Sequence, residues 1–126
     1  MAFILTNVLV DTSRSKTYKV VGKNEFDISY VDGSSSKGDY FTDVFKIGGA
    51  TVTNLTMGLG AKTDIAYGLV GVGYANNEAI VSNAQSLDAQ YPNLPVTMVD
   101  DGLINTIAYS LWLNDLGMYT ARFRWH

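Results

Sequence analysis

Phe26-Asp27-Ile28-Ser29-Tyr30-Val31-Asp32-Gly33-Ser34-Ser35-Ser36-Lys37-Gly38-Asp39-Tyr40-Phe41-Thr42-Asp43-Val44-Phe45-Lys46-Ile47-Gly48-Gly49 is the stretch that decides how this chain folds. Phe26, Ile28 and Tyr30 alternate with Asp27, Ser29 and Val31, the period of two that a strand imposes. Asp32-Gly33 opens a turn, because glycine accepts the positive φ at which a chain reverses. Phe41, Val44, Phe45 and Ile47 carry a return strand to Gly48-Gly49. The segment therefore predicts a long β-hairpin over residues 24–48. Its mobile Gly/Ser tip, placed over Tyr30 to Lys37, is able to fold over a cleft.

Outward from the hairpin, short strands dominate. Strands are expected over 3–10, over Tyr18 to Val21 before a break at Gly22, over Ala50 to Gly60, and over Tyr67 to Gly73. Two more are expected over Ala108 to Leu113 and Met118 to Trp125. Lys62 to Ala66 reads as a loop and the 67–73 strand as buried. Asn76 to Asp88 has room for a short helix. Pro95 suits the first turn of a second helix, 95–101, that stops near Gly102. There are no internal repeats or linkers, and 126 residues have the length of one domain.

Composition narrows the function. A net charge of −3 with no basic block argues against nucleic acid and anionic membrane as partners. No Cys excludes a disulfide framework and thiolate metal sites. No apolar run reaches the ~18 residues of a membrane span, and the N-terminus has neither a positive flank nor a small-residue cleavage site. Asn54-Leu55-Thr56 is an N-glycosylation acceptor in a secretory context and an ordinary strand segment otherwise.

Most catalytic constellations fail. The one His, His126, stands at the terminus, which leaves neither a metal site nor a base for a Ser nucleophile. Gly58-Leu59-Gly60-Ala61-Lys62-Thr63 lacks the Gly that a phosphate loop needs before its Lys. Gly71 to Asn76 misses the dinucleotide fingerprint at its last position. Asp100-Asp101 are neighbours in sequence, but neighbours on a helix do not face each other. No cofactor is expected.

Five segments, in order, resemble the N-terminal lobe of pepsin-like aspartic peptidases. Tyr30-Val31-Asp32-Gly33-Ser34 resembles the flap. Asp11-Thr12-Ser13-Arg14-Ser15-Lys16-Thr17-Tyr18 resembles the turn ahead of it, and Ile47 to Val52 the strand end behind it. Tyr67 to Gly73 is similar to the segment beneath the active site, and Leu103 to Leu113 to the strand that closes the lobe. The wording of Tyr91 to Val96 and Ala108 to Asp115 is close to the secreted or cell-surface fungal branch.

The resemblance covers residues 11–115; residues 1–10 and 118–126 do not clearly match. It implies a mainly β fold: an incomplete N-terminal lobe of the pepsin-like double-ψ β-barrel with one or two short helices. It also implies peptide or unfolded protein as substrate, with Tyr30, Asp32, Gly33 and Ser34 as flap contacts. That family's chemistry uses two Asp-Thr/Ser-Gly loops, one per lobe, and this sequence contains neither. Val10-Asp11-Thr12-Ser13 mimics one, but only 19 positions separate Asp11 from Tyr30, a gap that suits the turn. Ser13 would also add a Cβ where the family keeps bare backbone.

The expectation is thus a peptidase fragment with no catalytic residue of its own and a second lobe missing. The alternative is a non-catalytic peptide- or protein-binding β module. Self-association through unpaired strand edges is expected, with apolar surface bare around Leu69–Val72 and Leu111–Leu113.

Overall fold

The structure is a computed structural model and describes residues 2–5, 11–84, 90–112 and 122–125. Seven strands and two short helices among the described residues make it mainly β, as expected. In chain order they are β1 (Ala2–Leu5), β2 (Lys19–Ser29), β3 (Ser35–Ile47), β4 (Ala50–Thr63), β5 (Gly68–Gly71), α1 (Ala79–Ala84), α2 (Leu94–Asp100), β6 (Tyr109–Trp112) and β7 (Arg122–Trp125). Short 3-10 turns occupy Thr12–Arg14 and Ala75–Asn77. The expected strand segments 6–10, Leu113 and 118–121, the helix residues 85–88, and His126 lie outside the described residues.

The three long strands form one antiparallel sheet in the order β2-β3-β4. Its hairpin is longer and its tip shorter than the sequence suggests. Gly22 does not end a strand. β2 runs through it with two register shifts, between Val20 and Phe26, where Asn24 takes φ 58°. Such irregularities bend and twist a strand without ending it. β3 already pairs at Ser35, so the tip is residues 30–34 and not 30–37. Directly opposed Asp27 and Lys37 form a 2.7 Å ion pair that suits this register. β4 likewise runs on through Lys62 and Thr63, which shortens the expected loop to 64–67.

A bulge in β4 sets the core. Val44 of β3 faces both Thr53 and Asn54 of β4, and Asn54 takes φ 53°. The extra residue changes the inward parity, so that Val52 and Leu55, three apart, are both buried. They pack with Leu94 and Met98 of α2, flanked by Phe45, Met57, Val70 and Ile104. α2 is fixed where the sequence places it: Asn93 caps its N-terminus by accepting from Val96 N at 3.4 Å, and Pro95 lies in its first turn.

β3 is covered on both faces. Tyr40, 2% exposed, meets Phe26 and Tyr91 edge-on with centroids 5.4 and 5.7 Å apart. Phe41, on the opposite face, packs against Tyr18 at 5.0 Å. This is why two adjacent strand residues are both buried, a pattern that strict alternation excludes.

The smaller strands pair as antiparallel couples, β1 with β5 and β6 with β7. The β1 partner corrects the expectation of bare apolar surface at Leu69–Val72: Leu69 and Val70 are half-buried and Val72 is buried. It also corrects the fully buried reading of 67–73, since Tyr67 and Gly71 are exposed. Exposed apolar side chains lie instead at Val31, Tyr74 and Ile107. The side chains of Leu111–Leu113 lie outside the described residues.

Candidate functional site

The hairpin tip is a self-bonded turn. Tyr30 N donates to Ser34 O at 2.9 Å and Gly33 N to Tyr30 O at 3.0 Å. Asp32 Oδ1 accepts from Ser34 N at 2.9 Å and from Ser34 Oγ at 2.6 Å. Those Ser34 hydrogen bonds, the hydroxyl's first, hold the Asp32 carboxyl below its ordinary range. Gly33 takes φ 85°, which a side chain would strain. The sequence-predicted residues Tyr30, Asp32, Gly33 and Ser34 therefore form one unit. All four shape the turn, and Tyr30 alone of them also lines the cavity beside it.

That cavity, about 300 Å³, lies between the stem of the hairpin and the β4–β5 connection. Phe26, Tyr30 and Ser36 line one side, and Thr63, Ile65 and Tyr67 are among the residues lining the other. Burial, then the neighbouring Tyr67 and Asp32, push the Tyr30 hydroxyl above its ordinary value. It stays protonated at every physiological pH, so Tyr30 presents an O–H donor and an aromatic face. The lining is otherwise apolar or hydroxylic, which suits an apolar side chain with a few orienting polar contacts.

Two carboxylates that sequence reasoning passed over tie distant parts of the chain together, and the first of them holds this site in shape. Asp64 Oδ2 accepts from Ser35 Oγ at 2.9 Å and from Ser35 N at 3.2 Å, and Asp64 N donates to Ser35 O at 3.0 Å. The β4–β5 turn is thereby tied to the residue where the hairpin stem begins. Asp43 Oδ1 accepts from Thr17 Oγ1, from Ser15 Oγ at 2.9 Å and from Val44 N at 2.7 Å. It fastens the Ser15-Lys16-Thr17 turn to β3. The Thr17 hydroxyl first, then that of Ser15, keep the Asp43 carboxyl below its ordinary range. Both links join residues more than twenty-five positions apart, and no local spacing announces them. Tyr67 was readable only as a strand residue.

Asp11 is exposed and engaged locally. Its Oδ1 accepts from Ser13 Oγ at 2.6 Å and from Ser13 N at 3.1 Å, capping the 3-10 turn. Gly58 to Thr63 lie in β4 and form no loop for a phosphate. Asp100 and Asp101 are exposed at the end of α2, where Asp101 Oδ2 accepts from Thr53 N at 3.4 Å. Among the described residues no three acidic or His side chains converge as a metal site, and no helix is long and apolar enough to cross a membrane.

Residues 5–122 match the family model described as eukaryotic aspartyl protease. The chain is 51% identical over 111 residues to a probable aspartic-type endopeptidase opsB of Aspergillus fumigatus, covering 88% of this chain and 22% of that protein. It is 42% identical over 104 residues to an acid protease of Saccharomycopsis fibuligera, covering 82% and 26%. It is 38% identical over 102 residues to the secreted aspartic protease 8 of Candida albicans, covering 81% and 23%. The chain thus spans about a quarter or less of the length of these relatives.

Proposed function

Because this chain belongs to the eukaryotic aspartyl protease family, in its fungal pepsin-like branch, we propose that it carries the flap side of a peptide-binding cleft. On this reading it binds an extended peptide without hydrolysing it. The observation that supports the reading is the cavity beside the hairpin, with Tyr30 and Tyr67 both on its lining. An apolar peptide side chain enters between them. The Tyr30 O–H and the turn's backbone orient the peptide's carbonyls. Residues 11–115 act as one partial lobe, with the flap at 26–48.

Hydrolysis in this family requires two carboxylates that share a proton and activate water against the peptide carbonyl. Asp32 is consumed by the turn and Asp11 by its 3-10 cap. Neither stands in an Asp-Thr/Ser-Gly sequence. Taken alone, this chain is inactive as a peptidase.

The experiment has two arms. Unfolded protein incubated with the chain at acid pH should show no cleavage that a transition-state peptide mimic inhibits. A fluorescently labelled apolar peptide should bind, and Tyr30→Ala should weaken that binding by about tenfold, the effect of roughly 1.4 kcal/mol lost from a partly buried aromatic contact. Inhibitable turnover that vanishes in Asp11→Asn would promote Asp11 to a catalytic residue. Binding unchanged in Tyr30→Ala would remove the flap role.

A further inference from the structure

Asn54-Leu55-Thr56 is the single N-glycosylation triplet in the sequence, and the cleft does not use it. Asn54 stands at the bulge of β4, at φ 53°, with an exposed side chain. Asn is among the few residues that tolerate this left-handed geometry. The bulge breaks alternation, so Thr53 and Asn54 are exposed in succession while Val52 and Leu55 on either side are buried. A branch attached there reaches solvent without disturbing the core. β4 is also the outer strand of its sheet: among the described residues its strand partner is β3, on one side. Apart from Thr53, whose N–H goes to Asp101 Oδ2, β4 thus presents among the described residues an edge that another chain can pair with.

From this placement we propose that Asn54 is an N-glycan acceptor and that the glycan guards the free edge of β4. The reaction joins Asn54 Nδ2 to the anomeric carbon of a lipid-pyrophosphate-linked oligosaccharide. One C–N bond forms. The C–O bond to pyrophosphate breaks, with its electron pair leaving on the lipid pyrophosphate, and Nδ2 gives up one proton. No oxidant or reductant is needed. The product is a bulky, hydrated group on an exposed bulge of an outer strand, where it blocks a second strand from aligning.

The test translates the full chain behind a cleavable secretion leader in the presence of microsomes, where transfer precedes folding. One discrete mobility step, removed by endoglycosidase, is expected. Asn54→Gly, which keeps the positive φ, and Thr56→Ala, which keeps the Asn, should each abolish it. An unmodified Asn54-containing peptide from the translocated wild-type chain would overturn the assignment. The chain secreted from yeast is then compared with Asn54→Gly by light scattering. The unglycosylated form should associate at several-fold lower concentration. Equal association would overturn the guarding role while leaving the acceptor standing.

Discussion

Gly58→Ala places one methyl group where the structure has no room for it. The new Cβ would stand 2.4, 2.5 and 2.7 Å from three ring carbons of Phe26, whereas carbon atoms settle at about 3.5–4.0 Å. The ring edge must retreat by roughly 1 Å or more, and the cavity it lines is open to receive it. Retreat forfeits its edge contact with Tyr40, about 0.5–1.5 kcal/mol, and re-exposes part of a half-buried ring, about 1 kcal/mol. Against this, alanine narrows the unfolded ensemble at a position whose φ is not positive, a gain of about 0.4–1 kcal/mol. The steric cost wins, and the net loss is about 0.5–2 kcal/mol. With a urea slope near 2 kcal/mol/M, the midpoint falls by about 0.25–1 M. Peptide binding weakens as well, because the displaced ring fills the cavity. The control is Phe26→Ala, in whose background Gly58→Ala should be neutral or stabilising, since its opponent is gone and the backbone gain remains. Chemical denaturation of the four proteins measures the cycle. Equal cost in both backgrounds, or a stabilised single variant, refutes the account.

Other perturbations probe the buried tyrosines and the Asp43 clasp. The Tyr40 hydroxyl is buried with no hydrogen-bond partner among the described residues, so Tyr40→Phe should stabilise the chain by about 1 kcal/mol at neutral pH; a loss would reveal a hidden partner. Burial first, then the charges of Glu78 and Glu25, push the Tyr40 pKa up to about 12, and burial raises Tyr91 further still, beside Glu78 at 3.0 Å. A raised folded pKa stabilises below the unfolded value of 10.0 and is lost as pH rises toward the folded one. Tyrosinate absorbance should therefore appear together with unfolding between pH 10 and about 12, and in Tyr40→Phe the alkaline loss should be smaller. Asp43 has the opposite sign. Its depressed folded pKa stabilises above the ordinary 3.8 and is lost as pH falls below it. Urea midpoints from pH 6 to 2 should fall less steeply in Asp43→Asn, which starts lower, and parallel profiles would show that the clasp does not depend on charge.

What the sequence disclosed followed from local rules. Alternation at Phe26 to Tyr30 and the Asp32-Gly33 turn gave the hairpin, and Pro95 and Gly102 bracketed α2. The misplaced boundaries have physical causes. Gly22 looked like a breaker, but a bulge absorbs such a residue inside a strand when a neighbour strand keeps pairing beyond it. Ser35 to Lys37 looked like a loop because they are small and polar, yet pairing on both sides makes them strand. The cleft was half legible. Tyr30 stands beside a turn signature, whereas Tyr67, Asp64 and Asp43 acquire their parts only through contacts that cross the chain.

The grip of Asp64 on Ser35 decides what opening the cleft means. Hairpin stem and far wall are tied at one residue, so under the proposed flap role a hairpin that lifts would take the wall along. Opening would then change the pocket's distance from whatever stands opposite more than its shape. Ligand preference would be set before closure, as in a mitten whose thumb is sewn to its palm: what already fits is selected, and the swing decides only when.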